Sequence, residues 1–542
     1  MTVVRIGDEP LTPAAVVSAA RSGAVEVELT AGARERIARS RAAAESIAKR
    51  RRVYGRTTGV GANRDVVVSE PDLLAHSVRL LRSHAGGVGD PLPDELVRAT
   101  LLIRLAQIAA GGGGHRPEIA AALAAVLRSG PLPVLRDLGG IGTGDLTLLA
   151  QLGLALAGEG QWAPPRSGDR GPTAVGPEGA AAVGAERAAA VGAERAAAVG
   201  AERAAAVGPE GPAAVGDQGP AAWAGADPSP PRIEIQAGDA LALMSSNAAT
   251  HASAALAWSD VVELLDAGLG IAALTFRALD GNREAFAAPV AAARPLPGIE
   301  AVARRLRALT GDAPEPARIQ DPFGLRCLPP VAGALHDAAA SLHDIIAIEI
   351  NAATENPLIA GDEALHHGGF HAAPCALALD TLRLALVPFA SMSAARLAHL
   401  MEPRLSGLTP FLSVDAPGSS GILIAEYLAA DALARLRADA APVVLGTIAI
   451  SRGLEEHASF AWQAAGRARH AVLHLRTVLA LEWVAAERAL RMKGVATDGV
   501  LGPLRALATG FDARLEDRPI GPDTALAEAA LPALARSVRA VA

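Results

Sequence analysis

The sequence predicts a mainly α-helical protein organised around a long helix bundle. Hydrophobic residues make up 51% of the 542 residues and aromatic residues only 3%, so Ala, Leu and Val must build the core. β-Sheets depend more than helices on β-branched and aromatic residues. Several long runs with helical periodicity, joined by short connections, also favour a bundle.

The first 160 residues are expected to form a site-bearing domain of shorter helices and loops. Glycines cluster there within residues 55–61, 86–89, 111–114 and 139–144. Such clusters mark positive φ angles or close backbone approach. Their repeated use indicates a loop-built site that rests on a helical scaffold.

Residues 161–231 form a low-complexity insert rich in Ala, Gly, Pro, Glu and Arg. The unit Ala-Val-Gly-Ala-Glu-Arg-Ala-Ala repeats within it. A glycine in every unit weakens a helix, and each unit offers a single Val to bury. The composition is typical of a mobile inserted loop, with a partner-binding or assembly role as the alternative.

Residues 232–500 are expected to form the central helical bundle, and residues 501–542 a helical C-terminal tail. Apolar residues within 335–349 follow a 3.6-residue period, and the dipeptide Asn356-Pro357 should end that helix.

Two further helical runs are predicted in the bundle. One begins at Pro374 and is apolar nearly all round, as expected of a buried helix, and Pro388 should kink or split it. The other spans about residues 440–492 and is interrupted at Gly453.

Charge and cysteine content exclude several classes of protein. Lys and Arg number 50 against 57 Asp and Glu, a net charge of −7 with no basic block, so no nucleic-acid partner is expected. Cys327 and Cys375 are too few for a disulfide framework or a four-cysteine zinc site. The chain lacks metalloprotease and Walker motifs, so no metal or nucleotide cofactor is expected. Without a secretory or membrane-spanning stretch, the prediction is a soluble, cytoplasmic protein that does not bind membranes.

A series of motifs follows in chain order outside the insert. The motifs are Tyr54-Gly55-Arg56-Thr57-Thr58-Gly59-Val60-Gly61, Ser83-His84-Ala85-Gly86-Gly87-Val88-Gly89, Gly142-Thr143-Gly144-Asp145-Leu146, Gln320-Asp321-Pro322-Phe323-Gly324-Leu325-Arg326-Cys327, Asn351-Ala352-Ala353-Thr354-Glu355-Asn356-Pro357-Leu358, Gly368-Gly369-Phe370-His371 and Leu454-Glu455-Glu456-His457. The series resembles the aromatic amino acid ammonia-lyases, the family of histidine, phenylalanine and tyrosine ammonia-lyases. One such motif is weak evidence, but the ordered series is specific.

The resemblance implies a lyase that removes the α-amino group from histidine or a related aromatic amino acid and leaves an α,β-unsaturated acid. This elimination needs an electrophile, a positioned base and a carboxylate anchor, because the β-proton is barely acidic and ammonium leaves poorly. The family makes its electrophile, 4-methylidene-imidazolone, from an Ala-Ser-Gly triad, here Gly142-Thr143-Gly144. A homotetramer with active sites assembled from several subunits is also implied, in the helical fold of the fumarase/aspartase-like superfamily.

The resemblance also assigns roles to residues outside the triad. Tyr54 would be the general base, and that role needs its pKa depressed below about 10. Arg326 would clamp the substrate carboxylate, since its planar fork suits a carboxylate, and Gln320 would add a polar contact. Alternatively, Tyr54 is a core residue and Arg326 forms a structural salt bridge.

Selectivity for the substrate ring is expected to come from His84 and Glu455, which match pocket residues of histidine ammonia-lyases. A site built to pair with a polar ring rejects apolar analogues strongly. On a helix, Glu455 shares a face with Ser459 while Glu456 points elsewhere, so Glu455 alone should enter the pocket. Phe370 is expected to wall the pocket. Alternatively, Glu455 is a solvated charge on a helix, His84 is a hydrogen-bonded loop histidine and Phe370 is a core residue.

Several positions depart from the family pattern, among them Pro330 in place of a glutamine and Gly369 in place of an asparagine. Thr143 replaces the triad serine, and its dehydration would give an ethylidene group whose methyl shields the carbon to be attacked. Phe323 replaces a tyrosine, and Ser245 replaces an asparagine expected beside the prosthetic group. Three interpretations remain for Thr143: a turn with Thr143 or Asp145 as N-cap, a modified prosthetic group, or direct chemistry by an unmodified threonine.

The departures leave two alternative functions open beside the ordinary lyase. One is a homologue that binds an amino acid without turnover. The other is a lyase or aminomutase whose leaving group needs no imidazolone electrophile.

Overall fold

The computed structural model describes residues 2–129, 131–163, 230–311, 313–414 and 416–541. Most of the predicted insert, residues 164–229, lies outside them. Met1–Pro165 and Pro231–Ala542 are grouped in one compact unit. The finer division at residues 160, 232 and 500 stays a prediction.

Helices dominate the described chain, as its composition predicts. They are α1 (Pro13–Arg21), α2 (Ala31–Arg50), α3 (Leu73–His84), α4 (Asp94–Ala110), α5 (Pro117–Ser129), α6 (Leu146–Ala157), α7 (Asp239–Met244), α8 (Ala248–Ala278), α9 (Ala288–Ala292), α10 (Pro297–Leu309), α11 (Phe323–Arg326), α12 (Leu328–Glu349), α13 (Ala373–Met401), α14 (Pro403–Ser406), α15 (Ile424–Asp439), α16 (Ala461–Met492), α17 (Gly502–Ala506) and α18 (Gly521–Val541).

The described strands are short and pair two by two. The parallel pair is β1 (Thr2–Ile6) with β2 (Val25–Leu29). The antiparallel pairs are β3 (Val88–Pro91) with β5 (Arg136–Leu138), β4 (Leu132–Pro133) with β6 (Trp162–Ala163), and β7 (Leu358–Ala360) with β8 (Glu363–Leu365).

The core of the bundle is built on α8, α13 and α16. Helix α16 packs along α8 and α13, and α13 also packs against α12. Ala and Leu fill the contact faces, because small side chains let helices approach closely. A fully buried ion pair, Arg396 with Glu482, joins α13 to α16 through two N–H···O bonds of 2.6 and 2.7 Å. Thr275 of α8 also donates to the Glu482 carboxylate, so the hydrogen-bonding capacity of this buried carboxylate is well satisfied.

Helix α13 is only partly the buried helix that the sequence predicts. Leu379, Leu382 and Leu386 are fully buried, but Leu377 and Leu384 are 59% and 51% exposed. The reason is geometric: α12 and α16 cover one side, and residues seven apart share the uncovered side. Pro388 does not split the helix, which continues to Met401.

Helix α13 is also long and apolar enough to cross a membrane by length and composition alone, with a mean hydropathy of 1.5. A buried core helix of a soluble protein passes the same test. Since α13 packs against α12 and α16, we assign it to the core of the bundle.

The third predicted run, residues 440–492, is helical only from Ala461. Ser451, Arg452, Gly453 and Phe460 all have positive φ angles, between 53° and 81°. These angles are incompatible with a right-handed helix, so residues 441–460 form a loop. The prediction of helix there is wrong, and that loop instead enters the site.

Candidate active site

Loops from several parts of the chain meet around a cavity of about 1170 Å³. Its walls are the loop after α2, the end of α3, the turn before α6, the junction of α7 and α8, and the loops before α13 and α16. The sequence-predicted residues that line it are Tyr54, His84, Thr143, Ser245, Phe370 and Glu455. The chain thus brings together residues as much as 400 positions apart, and the role of each stays a prediction.

Tyr54 lies half-buried on the loop after α2. Its hydroxyl oxygen accepts a 2.8 Å hydrogen bond from the Gly61 amide, and its backbone amide donates to His366. Burial raises the pKa of Tyr54 and the charge of Glu455 raises it further, while the Gly61 bond and Arg64 lower it. The pKa of Tyr54 is therefore raised overall, whereas the expected role of general base needs a lowered pKa.

The segment around Thr143 is held from three sides. The Gly142 carbonyl accepts hydrogen bonds from the Ser459 hydroxyl at 2.6 Å and from the Ala372 amide at 3.2 Å. The Gly144 amide donates to Asn247 Oδ1 at 3.0 Å. Gly142 has a φ of +77°, and a Cβ there would lie 2.1 Å from Ser459 Oγ. Glycine is therefore required at 142 in this conformation.

Asp145 follows the triad and is fully buried at the start of α6. Its carboxylate accepts from the Thr250 amide and hydroxyl at 2.8 and 2.7 Å, which ties the turn to α8. Burial raises the pKa of Asp145 to about 6, against the lowering effect of Thr250. Asp145 occupies the N-cap position, but its side chain makes no cap bond with α6.

His84 ends α3 and presents its ring to the cavity. Its Nδ1 lies 2.9 Å from the Leu80 carbonyl oxygen. A carbonyl oxygen only accepts, so Nδ1 donates in this contact and Nε2 is the acceptor of that tautomer, while the Ser83 hydroxyl, 3.0 Å from Nδ1, can take either role. A ligand that pairs with Nε2 must offer an N–H or O–H donor.

Glu455 and Glu456 both line the cavity, so the expectation that Glu455 alone enters it is wrong. That expectation assumed a helix, whereas Glu455 pairs with Ile450 across a tight loop. Residues on a loop are not bound to the helical period of 3.6, so consecutive side chains can face one cavity.

Two lining histidines were missed in the sequence. His371 Nε2 and His457 Nδ1 are 3.0 Å apart, so one of the two nitrogens carries the shared hydrogen. Burial lowers the pKa of His371, and the proximity of His457 lowers it further. His371 and His457 are the last residues of the motifs Gly-Gly-Phe-His and Leu-Glu-Glu-His. Their positions in these motifs are the signal from which a place in the cavity could have been predicted.

Gln320, Phe323 and Arg326 lie outside this cavity. Phe323 is 63% exposed and Gln320 is also exposed. The Arg326 guanidinium lies 4.5 Å from the Phe323 ring centroid, a cation–π distance. Within the described residues Arg326 Nε has no hydrogen-bond partner. One chain therefore does not bring the expected carboxylate clamp to the pocket.

The residues present do not fit the methylidene-imidazolone group. Thr143 brings an extra methyl to the carbon that must stay open to attack. The hydrogen on the Gly144 amide, which ring closure removes, is engaged by Asn247.

Fold and pocket together define a helical-bundle enzyme whose active site is built from loops. The sequence model of the family described as aromatic amino acid lyase matches residues 11–506. The histidine ammonia-lyase of Anaeromyxobacter sp. (strain K) is 34% identical over 516 residues, which cover 93% of this chain and 92% of that protein. The histidine ammonia-lyase of Geobacillus thermodenitrificans is 34% identical over 470 residues, 85% of this chain and 83% of that protein. The chain belongs to the aromatic amino acid lyase family, a family of carbon–nitrogen lyases.

Solved structures bear out the predicted fold class. Histidine ammonia-lyase from Trypanosoma cruzi superposes with a TM-score of 0.81 at 24% identity and covers 100% of this chain and 96% of its own. Tyrosine aminomutase from Streptomyces globisporus gives a TM-score of 0.82 at 24% identity, with 100% and 98% coverage.

Proposed function

We propose that this protein is a carbon–nitrogen lyase that removes the α-amino group from histidine or a related polar aromatic amino acid. The product is an α,β-unsaturated acid. The observation that carries the proposal is the convergence of Tyr54, His84 and Glu455 on one cavity in a chain of this family.

The ring of the substrate pairs with His84 and Glu455. His84 Nε2 and the Glu455 carboxylate are both acceptors, so a ring with two N–H groups satisfies both. Protonated imidazole has two such groups, and a phenyl ring has none, so a bound phenyl ring would cover both acceptors and leave them unpaired. Phe370 walls the same cavity.

The β-proton is taken by Tyr54, the base that the family resemblance assigns. Its raised pKa means that the phenolate forms at alkaline pH or after a substrate cation arrives.

A homotetramer completes the site. Gln320 and Arg326 are exposed or half-exposed and lie outside the cavity, so they would reach a substrate only in the site of a neighbouring subunit. The uncovered face of α13, with Leu377 and Leu384, supplies an apolar surface that such an assembly would bury. We place the assembly in the cytoplasm as a soluble enzyme.

A second candidate acts on a substrate whose amine leaves without an electrophile. Thr143 and the Gly144–Asn247 bond favour it, since both disfavour the imidazolone group. A quaternary ammonium, as in a betaine, is such a leaving group. Binding without turnover is the third outcome, and Phe323 and Ser245 favour it.

The deciding experiment is a substrate panel with the purified full chain. Histidine, phenylalanine, tyrosine and histidine betaine are each incubated with protein, and products are followed by ultraviolet absorbance and mass spectrometry. An unsaturated acid from histidine supports the proposal, and one from the betaine alone supports the second candidate. Absence of any unsaturated acid contradicts both, and calorimetric binding without product then leaves the binding protein.

A further inference from the structure

Asn247 bridges the triad segment to the pocket wall. Its Oδ1 accepts from the Gly144 amide at 3.0 Å, and its Nδ2 donates to the Phe370 carbonyl at 2.6 Å. The residue is buried in the turn just before α8. It lies two positions after Ser245, the residue expected beside the prosthetic group, whose hydroxyl instead accepts from the Asn356 amide at 3.0 Å.

Formation of an imidazolone ring would remove the partners of this bridge. In ring closure the Gly144 nitrogen bonds to the Gly142 carbonyl carbon. One water then carries away the Gly142 oxygen with the amide hydrogens of Gly144 and Thr143. A second water carries away the Thr143 hydroxyl with the Cα hydrogen. The ring nitrogen from Gly144 bears no hydrogen, so it cannot donate to Asn247.

Asn247 cannot simply turn away after such a closure. Its Nδ2 is held by Phe370, and rotation of the amide would break that bond as well. A buried acceptor left without a donor is more costly than a lost hydrogen bond at the surface. Ser459 and Ala372 would lose the Gly142 oxygen in the same step.

We propose that Asn247 is a positioning residue that keeps Gly142-Thr143-Gly144 as an open peptide and so presents an intact Thr143 hydroxyl to the cavity. Thr143 lines the cavity, so an intact hydroxyl at this position is available to a polar group of the ligand. The inference concerns the chain itself and goes beyond the proposed lyase activity. Its tests need no turnover, so a failed substrate panel and a failure here are separate results.

Mass spectrometry of the full chain and of the peptide spanning residues 141–145 is the first test. The expected mass is that of the unmodified sequence, and a deficit of two waters overturns the proposal. Thr143→Ser removes the obstructing methyl but keeps Asn247, so its peptide should also be unmodified. A deficit of two waters in Thr143→Ser would show that the methyl, and not Asn247, keeps the peptide open.

Hydrogen–deuterium exchange at Gly144 is the second test. Asn247→Ala should speed that exchange by about tenfold or more, as expected when a buried hydrogen bond is lost. Asn351→Ala is the matched control, because Asn351 also bridges backbone groups, at Leu11, away from the pocket. It should leave Gly144 exchange unchanged.

Asn247→Asp keeps an acceptor oxygen and should retain slow exchange even if Asn247→Ala folds poorly. Fast exchange at Gly144 in Asn247→Asp, or slow exchange in a folded Asn247→Ala, would overturn the role of this side chain.

Discussion

Two regions of the chain carry family motifs but stand in opposite surroundings. The loops around Tyr54, His84 and Glu455 enclose a cavity, whereas α11 presents Phe323 and Arg326 on the outside. In the cavity, the Tyr54 hydroxyl and the His84 ring already have protein partners. In the exposed region, Arg326 stacks on Phe323 and keeps its Nε unpaired among the described residues.

The difference teaches that one chain brings the expected ring-binding residues to the cavity but not Arg326, the expected carboxylate anchor. His84 and Glu455 can satisfy a polar ring within one chain. The Arg326 guanidinium is not among the groups that line the cavity of its own chain, whereas Arg52 and Arg64 are. If the two regions belong to one active site, they must meet between subunits, and the predictions below test that link.

The largest effect is expected from Tyr54→Phe. Loss of a general base typically costs 10²- to 10⁴-fold in rate, so kcat should fall by about that factor while ligand binding persists. Steady-state kinetics on the active substrate measures it. Tyr427→Phe is the matched control, since Tyr427 is exposed on α15 and should behave as wild type. Equal rates for Tyr54→Phe and wild type would remove Tyr54 from the mechanism.

Arg326→Ala should raise KM by about 100-fold, the cost of a lost charge-assisted hydrogen-bond pair. Arg326→Lys keeps the charge without the fork and should recover only part of the affinity. Arg435→Ala removes an exposed arginine paired within α15 and serves as control. A KM unchanged in Arg326→Ala would mean that the exposed region has no part in binding.

Mixing the two impaired variants sharpens the comparison most. Tyr54→Phe and Arg326→Ala subunits, coexpressed with different tags, should form mixed assemblies with more activity than either variant alone. The reason is that a shared site can take Tyr54 from one subunit and Arg326 from another. Activity no higher than the parents in a proven mixed assembly would place both residues in sites within single subunits.

The assembly itself is tested on α13. Leu377→Asp with Leu384→Asp should reduce the assembled species seen by light scattering and lower turnover, with helix content kept. Charge on an apolar interface is costly, whereas both positions are exposed in the single chain. Val290→Asp, at an exposed position on α9, is the matched control. An unchanged assembly would separate the apolar face of α13 from subunit contact.

Sequence reasoning predicted the helices better than the pocket, for physical reasons. Apolar periodicity is local, so α12, α13 and α16 could be read from the chain. Positive φ angles at Ser451, Arg452 and Phe460 carry no periodic signal, and they turned an expected helix into a loop.

Hydrogen-bond partners that are far apart in the sequence could not be predicted either. Asn247 accepts a hydrogen bond from the amide of Gly144, 103 residues away, and the sequence around either residue does not predict this contact. Proximity of Tyr54, His84, Thr143 and Glu455 followed only from the family resemblance, because spacing along the chain does not determine distance across loops. The resemblance could not say that Arg326 lies outside the same chain's cavity.

Glu455→Gln should have a smaller effect, a rise in KM for histidine of about tenfold, as for one lost hydrogen bond to a charged group. The Glu455 charge raises the pKa of Tyr54, so its removal should also shift the alkaline rise of activity to lower pH. Glu456→Gln, from the neighbouring lining position, is the comparison. A profile that shifts equally in both variants would show general charge rather than a specific contact.

The smallest effect on rate and a distinct effect on stability are expected from Asp145→Asn. Burial raises the folded-state pKa of Asp145 from 3.8 to about 6, so folding favours the protonated form. This contribution to the free energy of unfolding is present below about pH 4, declines as pH rises to about 6, and is constant above. The slope is at most about 1.4 kcal/mol per pH unit, the value for one proton.

Buried His251, with its pKa lowered to about 4, acts with the opposite sign over a similar range. The difference between wild type and Asp145→Asn in urea unfolding from pH 4 to 7 therefore isolates the carboxyl. A difference that does not change with pH would show that the pKa of Asp145 is not raised in the folded protein, because the hydrogen bonds from Thr250 offset the effect of burial.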